Sequence, residues 1–224
     1  MLPQKTEHLI LSTAYLPPIE YIARIAYCNQ VHIEQWENYP KQTYRNRCII
    51  AAAGGPLALI LPVEKPTPGH CLTQDIRISN HGNWRHIHWN ALVSAYQSSP
   101  FFEYYADDFA PFYEKQWKYL LDYNEELLTL LCTSIGFTPQ ISRTETFRAS
   151  ENTETIQDFR ETIHPKRPIS NDFRISPYYQ VFKTEYGFQP NLSAVDLLFN
   201  MGPESILTIR DSFREPDHDI IPNK

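Results

Sequence analysis

Four groups of residues in this chain combine chemical type with spacing that chemistry requires. The first lies in residues 84–97, WRHIHWNALVSAYQ, whose polar and apolar residues separate at about 100° per residue, as on a helix. His86, Asn90, Ser94 and Gln97 share the polar arc, whereas Arg85 and His88 fall on the apolar arc with Trp84, Trp89, Leu92 and Tyr96. A polar group on a buried face needs a partner. His88 is therefore read either as a general base lining a pocket or as a core histidine bonded to a backbone carbonyl. The second group is Tyr44-Arg45-Asn46-Arg47. At the start of a strand, Arg45 and Arg47 alternate onto one face and Asn46 onto the other. Two forked guanidiniums on one face suit a diphosphate or carboxylate, and equally suit a solvated strand edge or ion pairs with an acidic surface.

The third group is Ser193-Ala194-Val195-Asp196, which has the Ser-x-x-Asp form of a capping box. On the helix that follows, Ser193, Asp196 and Asn200 make one polar stripe, so Asp196 is either a capping acid or, with Asn200, a residue facing a pocket. The fourth is His32, Glu34 and Glu37, placed where a second strand ends, the usual ligand side of an α/β sheet. A carboxylate such as Glu37 there contacts sugar hydroxyls or a metal; the spacing matches no strong metal motif, and no metal is expected. Tyr15, Trp36 and Tyr179 offer rings for stacking, in a chain with 14 Tyr and 4 Trp. The same rings also suit a core with polar tips at its surface. The chain has no Gly-rich phosphate loop, Gly-x-Ser-x-Gly elbow or Cys-x-x-Cys pair, so no cofactor is named.

The elements that would hold these groups can be read from patterning. Residues 8–13 (HLILST) form a short buried strand, and the Pro17-Pro18 turn opens a helix over 19–27. Val31 and Ile33 continue into a second strand. This is a Rossmann-like strand–helix–strand unit. Residues 47–53 and 57–63 suggest a hairpin around Gly54-Gly55-Pro56, though not of the two-residue Asn-Gly type, and 75–78 a further strand. Helices follow over 84–97, 101–109 and, with Pro111 as first residue, 111–134, stopping at Gly136. Residues 178–183 read as a strand, 193–201 as a helix and 205–210 as a last strand. The expected class is α/β, with a mixed central sheet and flanking helices. One domain over 1–213 is expected, with 142–175 an exposed loop or linker and 214–224 a flexible tail.

Composition narrows the class of partner. The 224 residues are 42% hydrophobic and carry a formal net charge of -6. Mild acidity argues against a broad nucleic-acid surface. No apolar run of about 18 residues spans a membrane, and the N-terminal residues lack the basic region of a signal peptide. Cys28, Cys48, Cys71 and Cys132 are widely spaced, which fits a reducing cytoplasm. The expected partner is a small molecule.

Three segments carry a resemblance. They are STAYLPPIEYIARIAYCNQVHIEQWENYPKQTYRNR, NWRHIHWNALVSAYQSSPFFEYY and YYQVFKTEYGFQPNLSAVDLLFNMGPE. In this order they are similar to the WbqC-like family of bacterial proteins. The third is the most specific, through Pro-Asn-Leu-Ser, Asp-Leu-Leu-Phe-Asn and Gly-Pro. The chain departs from many members at Ser12-Thr13-Ala14-Tyr15, where a Gln-Pro precedes the tyrosine, and at Pro18-Ile19-Glu20-Tyr21, where a Trp-x-Gly-Tyr follows the leucine-proline. A Ser-Gly-containing section before the last motif is also shortened. The family is associated with gene clusters for bacterial surface polysaccharide such as O-antigen. The resemblance implies transfer of a glycyl or other acyl group onto a nucleotide-linked amino sugar. In that picture His88 and Asp196 are the catalytic residues, with His88 the base and Asp196 also orienting the substrate, Arg45 and Arg47 hold phosphates, and Asn46, Asn191 and Asn200 bind and orient the substrate. A non-catalytic binding or assembly protein of the same pathway is the alternative. The N-terminal unit also has the outline of nucleotidyltransferases with a His-x-Gly-His turn, whose histidines are absent here.

Overall fold

Dense apolar patterning decides the first part of the chain. A computed structural model describes residues 6–64, 71–150 and 152–213; the tail expected at 214–224 lies outside the described residues. β1 (Thr6–Ser12) buries its last four residues, and α1 (Ile19–Ala26) buries every residue except its last. β2 (Cys28–Glu34) then returns parallel to β1, with Leu9 opposite Val31 and Ser12 opposite Glu34. The expected strand–helix–strand unit is present.

The mixed sheet resolves into two separate ones. The central sheet has four parallel strands in the order β5-β2-β1-β6. Its edges, β5 (Ile141–Arg143) and β6 (Ile156–Asp158), are three residues each. Both edge strands draw on the stretch expected to be an exposed loop. The antiparallel pair is β3 (Arg47–Ala52) with β4 (Gly55–Ile60). Its turn has only two residues, Ala53 and Gly54, shorter than the sequence suggested, and Gly55 takes up the geometry with φ +96°.

The helices are α2 (Trp84–Tyr96), α3 (Phe102–Phe109), α4 (Pro111–Glu114), α5 (Leu120–Ile135), α6 (Lys183–Tyr186), α7 (Ala194–Met201) and α8 (Ser205–Asp211). The single helix expected from Pro111 is broken after one turn, and Gly136 ends α5 in the left-handed conformation as expected. Three strand expectations are overturned. Residues 75–78 make only isolated bridges, Arg77 with Tyr119 and Ile78 with Val63. Residues 178–183 lead into α6, and 205–210 is α8, because Ser205 and Ile209, four apart, bury one helical face. α1 packs against α7 and α8. Among the described residues no helix is long and apolar enough to cross a membrane.

Candidate functional site

From β1 the chain crosses through α1 to β2 on one side, while β6 pairs on the other. Connections diverging from neighbouring parallel strands leave a crevice at the carboxyl ends, where α/β sheets hold ligands. Ser12, Glu34 and Asp158 are the last residues of β1, β2 and β6. Glu37 follows one turn of loop later. Arg45 donates from Nε to Glu37 Oε1 (2.8 Å), and from Nη2 to Glu37 Oε2 (2.7 Å) and Ser12 Oγ (2.6 Å). Ser12 in turn donates to Glu37 Oε2 (3.2 Å). Glu34 is fully buried. It accepts the Trp36 N–H (2.8 Å) and Thr144 Oγ1 (2.9 Å) on one oxygen, and the Arg148 N–H (3.0 Å) and Arg160 Nη1 (3.2 Å) on the other. Arg160 also forks onto Asp158 (3.0 and 2.5 Å). Burial pushes the Asp158 carboxyl up, but the hydrogen bonds from Arg160 outweigh it and hold the group below its ordinary range. The cavity between Ser12, Arg45 and Arg160 is only about 10 Å³, the space of one water. In this frame Arg45 pairs with Glu37 and Arg160 serves both Glu34 and Asp158, with neutral N–H and O–H donors filling the other Glu34 acceptors, so every carboxylate oxygen of Glu34 and Glu37 is hydrogen-bonded.

The open space lies beside it. A cleft of about 380 Å³ is walled by Glu20 of α1, by Tyr44 and Ile49, by residues 162–164 and 167–169, and by residues 188–192. Tyr44 and Ile163 line both this cleft and the small strand-end cavity, so the two adjoin. Glu20 is 2% exposed. Its backbone N–H goes to Asn191 Oδ1 (2.8 Å), and Asn191 reaches that position with φ +54°, a left-handed conformation that asparagine adopts more readily than most residues. One helical turn on, Arg24 forks onto Asp172 at 2.6 Å through each nitrogen. That pairing holds the Asp172 carboxyl low, with burial opposing it. Glu20 Oε1 lies 3.6 Å from Arg24 Nη2 and accepts no hydrogen bond from the described residues. His164 and Arg167 also line the cleft. Burial, then the Arg167 charge, lowers the His164 pKa, so the ring is neutral near pH 7. Its Nδ1 accepts the Lys166 N–H (3.1 Å), which assigns the proton to Nε2.

The residues singled out from sequence separate into distinct places. Arg45 and Glu37 belong to the strand-end frame, and Trp36 borders it, donating from Nε1 to the Thr144 carbonyl (2.9 Å). Asn191 lines the cleft. Arg47 is the first residue of β3, whereas Arg45 sits in the turn before it, so the two do not alternate onto one strand face. Arg47 and Asn46 instead line a second cavity of about 320 Å³ with Tyr39 and Lys41. Asn46 donates there to the Leu61 carbonyl (2.8 Å).

His88 is 4% exposed and bonds through Nδ1 to the Tyr15 hydroxyl (2.9 Å), which also meets the Tyr113 hydroxyl (3.1 Å). Burial lowers the His88 pKa to about 4, partly offset by a hydrogen bond to the Ile60 carbonyl. Asp196 is fully buried and accepts the Tyr96 hydroxyl (2.9 Å), the Tyr178 hydroxyl (2.5 Å) and Gln180 Nε2 (2.9 Å). Ser193 makes no side-chain cap to α7, so the expected capping box is not formed. Asn200 donates to the Asp196 carbonyl (2.7 Å). Tyr179 is 53% exposed and lines neither the cleft nor the second cavity.

Several residues of the cleft and frame were not singled out. Asp158 ends β6 and Arg160 lies in the turn just after it, so strand alternation offered no signal for their pairing. Glu20 and Arg24 are spaced four apart, which reads as a surface pair on a helix. Only the burial of α1 on all sides makes it otherwise. His164 and Arg167 sit in a stretch without periodicity and carried no signal.

Comparison with known proteins bears on residues from the strand ends to the cleft. A model described as the WbqC-like protein family matches residues 13–172. An uncharacterized protein of Mycobacterium tuberculosis is 26% identical over 218 residues, covering 88% of this chain and 94% of its own length. No solved structure matches.

Proposed function

The chain belongs to the WbqC-like protein family, and on that premise we propose that it is a transferase that moves a glycyl or other acyl group onto a nucleotide-linked amino sugar in surface-polysaccharide synthesis. The observation that carries this reading is the cleft of about 380 Å³ beside the carboxyl ends of the parallel strands. Its size suits a small molecule, and its position suits the ligand side of the sheet. Arg167 and the His164 Nε2–H supply donors for phosphate oxygens, and Tyr44 and Phe188 supply apolar faces for a sugar ring. The Glu37–Arg45–Ser12 frame fixes the wall next to them. Arg45 serves here as a positioning residue, because Glu37 and Ser12 already occupy its Nε and Nη2.

In this reading His88 and Asp196 hold the shape of the site from within the core. Their burial in closed networks is also the observation that favours the second reading, a binding or assembly protein that performs no chemistry. Thermal unfolding of the chain separates the two. The ligand panel is nucleotide sugars, acyl-CoA thioesters, glycine, and nucleoside triphosphates with magnesium. A ligand at a hundredfold its dissociation constant stabilises by about 2.7 kcal/mol, a rise in Tm of about 5–10 °C for a chain of this size. A rise with a nucleotide sugar that is lost in Arg167→Ala supports the transferase. A response to triphosphate and magnesium alone points to a nucleotidyltransferase, and no response to any ligand leaves the assembly protein.

A further inference from the structure

We infer that the floor of the cleft at Glu20 receives a primary ammonium group, so that the molecule bound there is an amine carrying an anionic group toward Arg167. The inference rests on the reading above that this cleft is the substrate site, and it names which chemical handle the site selects.

The charges around α1 do not balance. Glu20, Arg24 and Asp172 form one cluster in which Arg24 is the single cation for two carboxylates. Asp172 takes both forked nitrogens of Arg24 at 2.6 Å, leaving Glu20 a looser approach of 3.6 Å. The Asn191 amide adds only a long contact of 3.4 Å to Glu20 Oε2. The first turn of α1 does not help either, because the backbone N–H of Glu20 is committed to Asn191 Oδ1. A carboxylate that is 2% exposed, with one oxygen accepting no hydrogen bond, lacks a donor bearing positive charge. The same cleft presents a second acceptor in that condition, Gln189 Oε1. An ammonium group brings three donors and one positive charge, which answers the deficit at Glu20. A phosphate or carboxylate at this end would meet the Glu20 carboxylate, which repels it.

The exposed part of the cleft has the opposite character. Arg167 is 53% exposed on its side chain and holds Glu161 only at 3.7 Å, so its guanidinium is open to an incoming anion. Acid at the floor and base at the rim select a molecule that has both an amine and a phosphate.

The test is calorimetric titration of the whole chain with glucosamine 1-phosphate and with N-acetylglucosamine 1-phosphate, which share ring and phosphate but differ in the charge on nitrogen. Wild-type protein is expected to bind the amine at least about tenfold more tightly, as for loss of a hydrogen bond between charged groups. Glu20→Gln, which keeps the side-chain volume, is expected to erase that preference. Equal affinities in the wild type, or a preference that persists in Glu20→Gln, overturn the inference. If both ligands bind equally and Arg167→Ala weakens both, the ammonium pocket is lost and the transferase reading stands. Binding of neither ligand removes the inference and the cleft reading together. Were Glu20→Gln to fail to fold, the ratio of the two wild-type affinities decides alone.

Discussion

Glu20 and Asp196 are two buried carboxylates in the first turn of two packed helices, and they live in opposite circumstances. Asp196 is met by two phenols and an amide, all neutral donors, and it lines none of the cavities described above. Glu20 shares one arginine with a better-placed competitor and faces a cleft. The first arrangement is complete in itself and defines structure. The second lacks a counter-charge, and a ligand can supply it. Burial of an acid is therefore a poor guide to function. What separates the two is whether the protein itself fills every acceptor.

Three substitutions test that contrast, the largest effect first. Asp196→Ala should destabilise by about 3–5 kcal/mol, because Tyr96, Tyr178 and Gln180 lose a common acceptor inside the core. Urea unfolding measures it, and a loss below about 1 kcal/mol would break the distinction. His88 belongs with Asp196 on the closed side. Its pKa of about 4 in the folded chain lies below the ordinary 6.5, so the unfolded chain binds the extra proton first. Stability from His88 is complete above about pH 6.5 and falls as pH drops toward 4, by about 3 kcal/mol in total. Unfolding followed over that range should show the decline in the wild type and a decline smaller by about that amount in His88→Phe. The smallest effect belongs to the open side. Glu20→Gln should leave stability within about 1 kcal/mol of the wild type, since the charge it removes has no full partner. A large loss there would place Glu20 in the same class as Asp196.

The fold was legible where periodicity had room to repeat. The dense apolar runs of β1 and α1, and the glycine that ends α5, follow from local rules. The failures have a common cause. Ile156-Gln157-Asp158 is too short and too polar to announce a strand, and it is one because β1 offers it an edge. The alternating Ser-Ile-Leu-Thr-Ile-Arg run fits a strand as well as a helix, and packing against α1 and α7 chose the helix. The site was legible in part for the same reason. Glu37 and Arg45 sit near ends of strands that could be read. Arg160 depends on β6, and His164 and Arg167 depend on where the following chain comes to rest. His88 was correctly placed on a buried face, but the side chains that close around it, Tyr15 and Tyr113, come from distant parts of the chain.

The bridge between Pro18 and Ser193, with the Ala194 N–H donated to the Pro17 carbonyl, ties the start of α1 to the start of α7. Its consequence is one of timing during synthesis. The strand–helix–strand unit leaves the ribosome before α7, and the Asn191 oxygen that receives the Glu20 N–H is 171 residues away along the chain. Contacts so distant in sequence close late and slowly. Until then α1, buried at every residue but its last in the finished fold, lacks the cover of α7 and α8, and surface left open in this way favours aggregation of the nascent chain. A chain cut after Asp172 would retain the four parallel strands but never acquire α7. It would emerge with that helix bare and the cleft unbuilt.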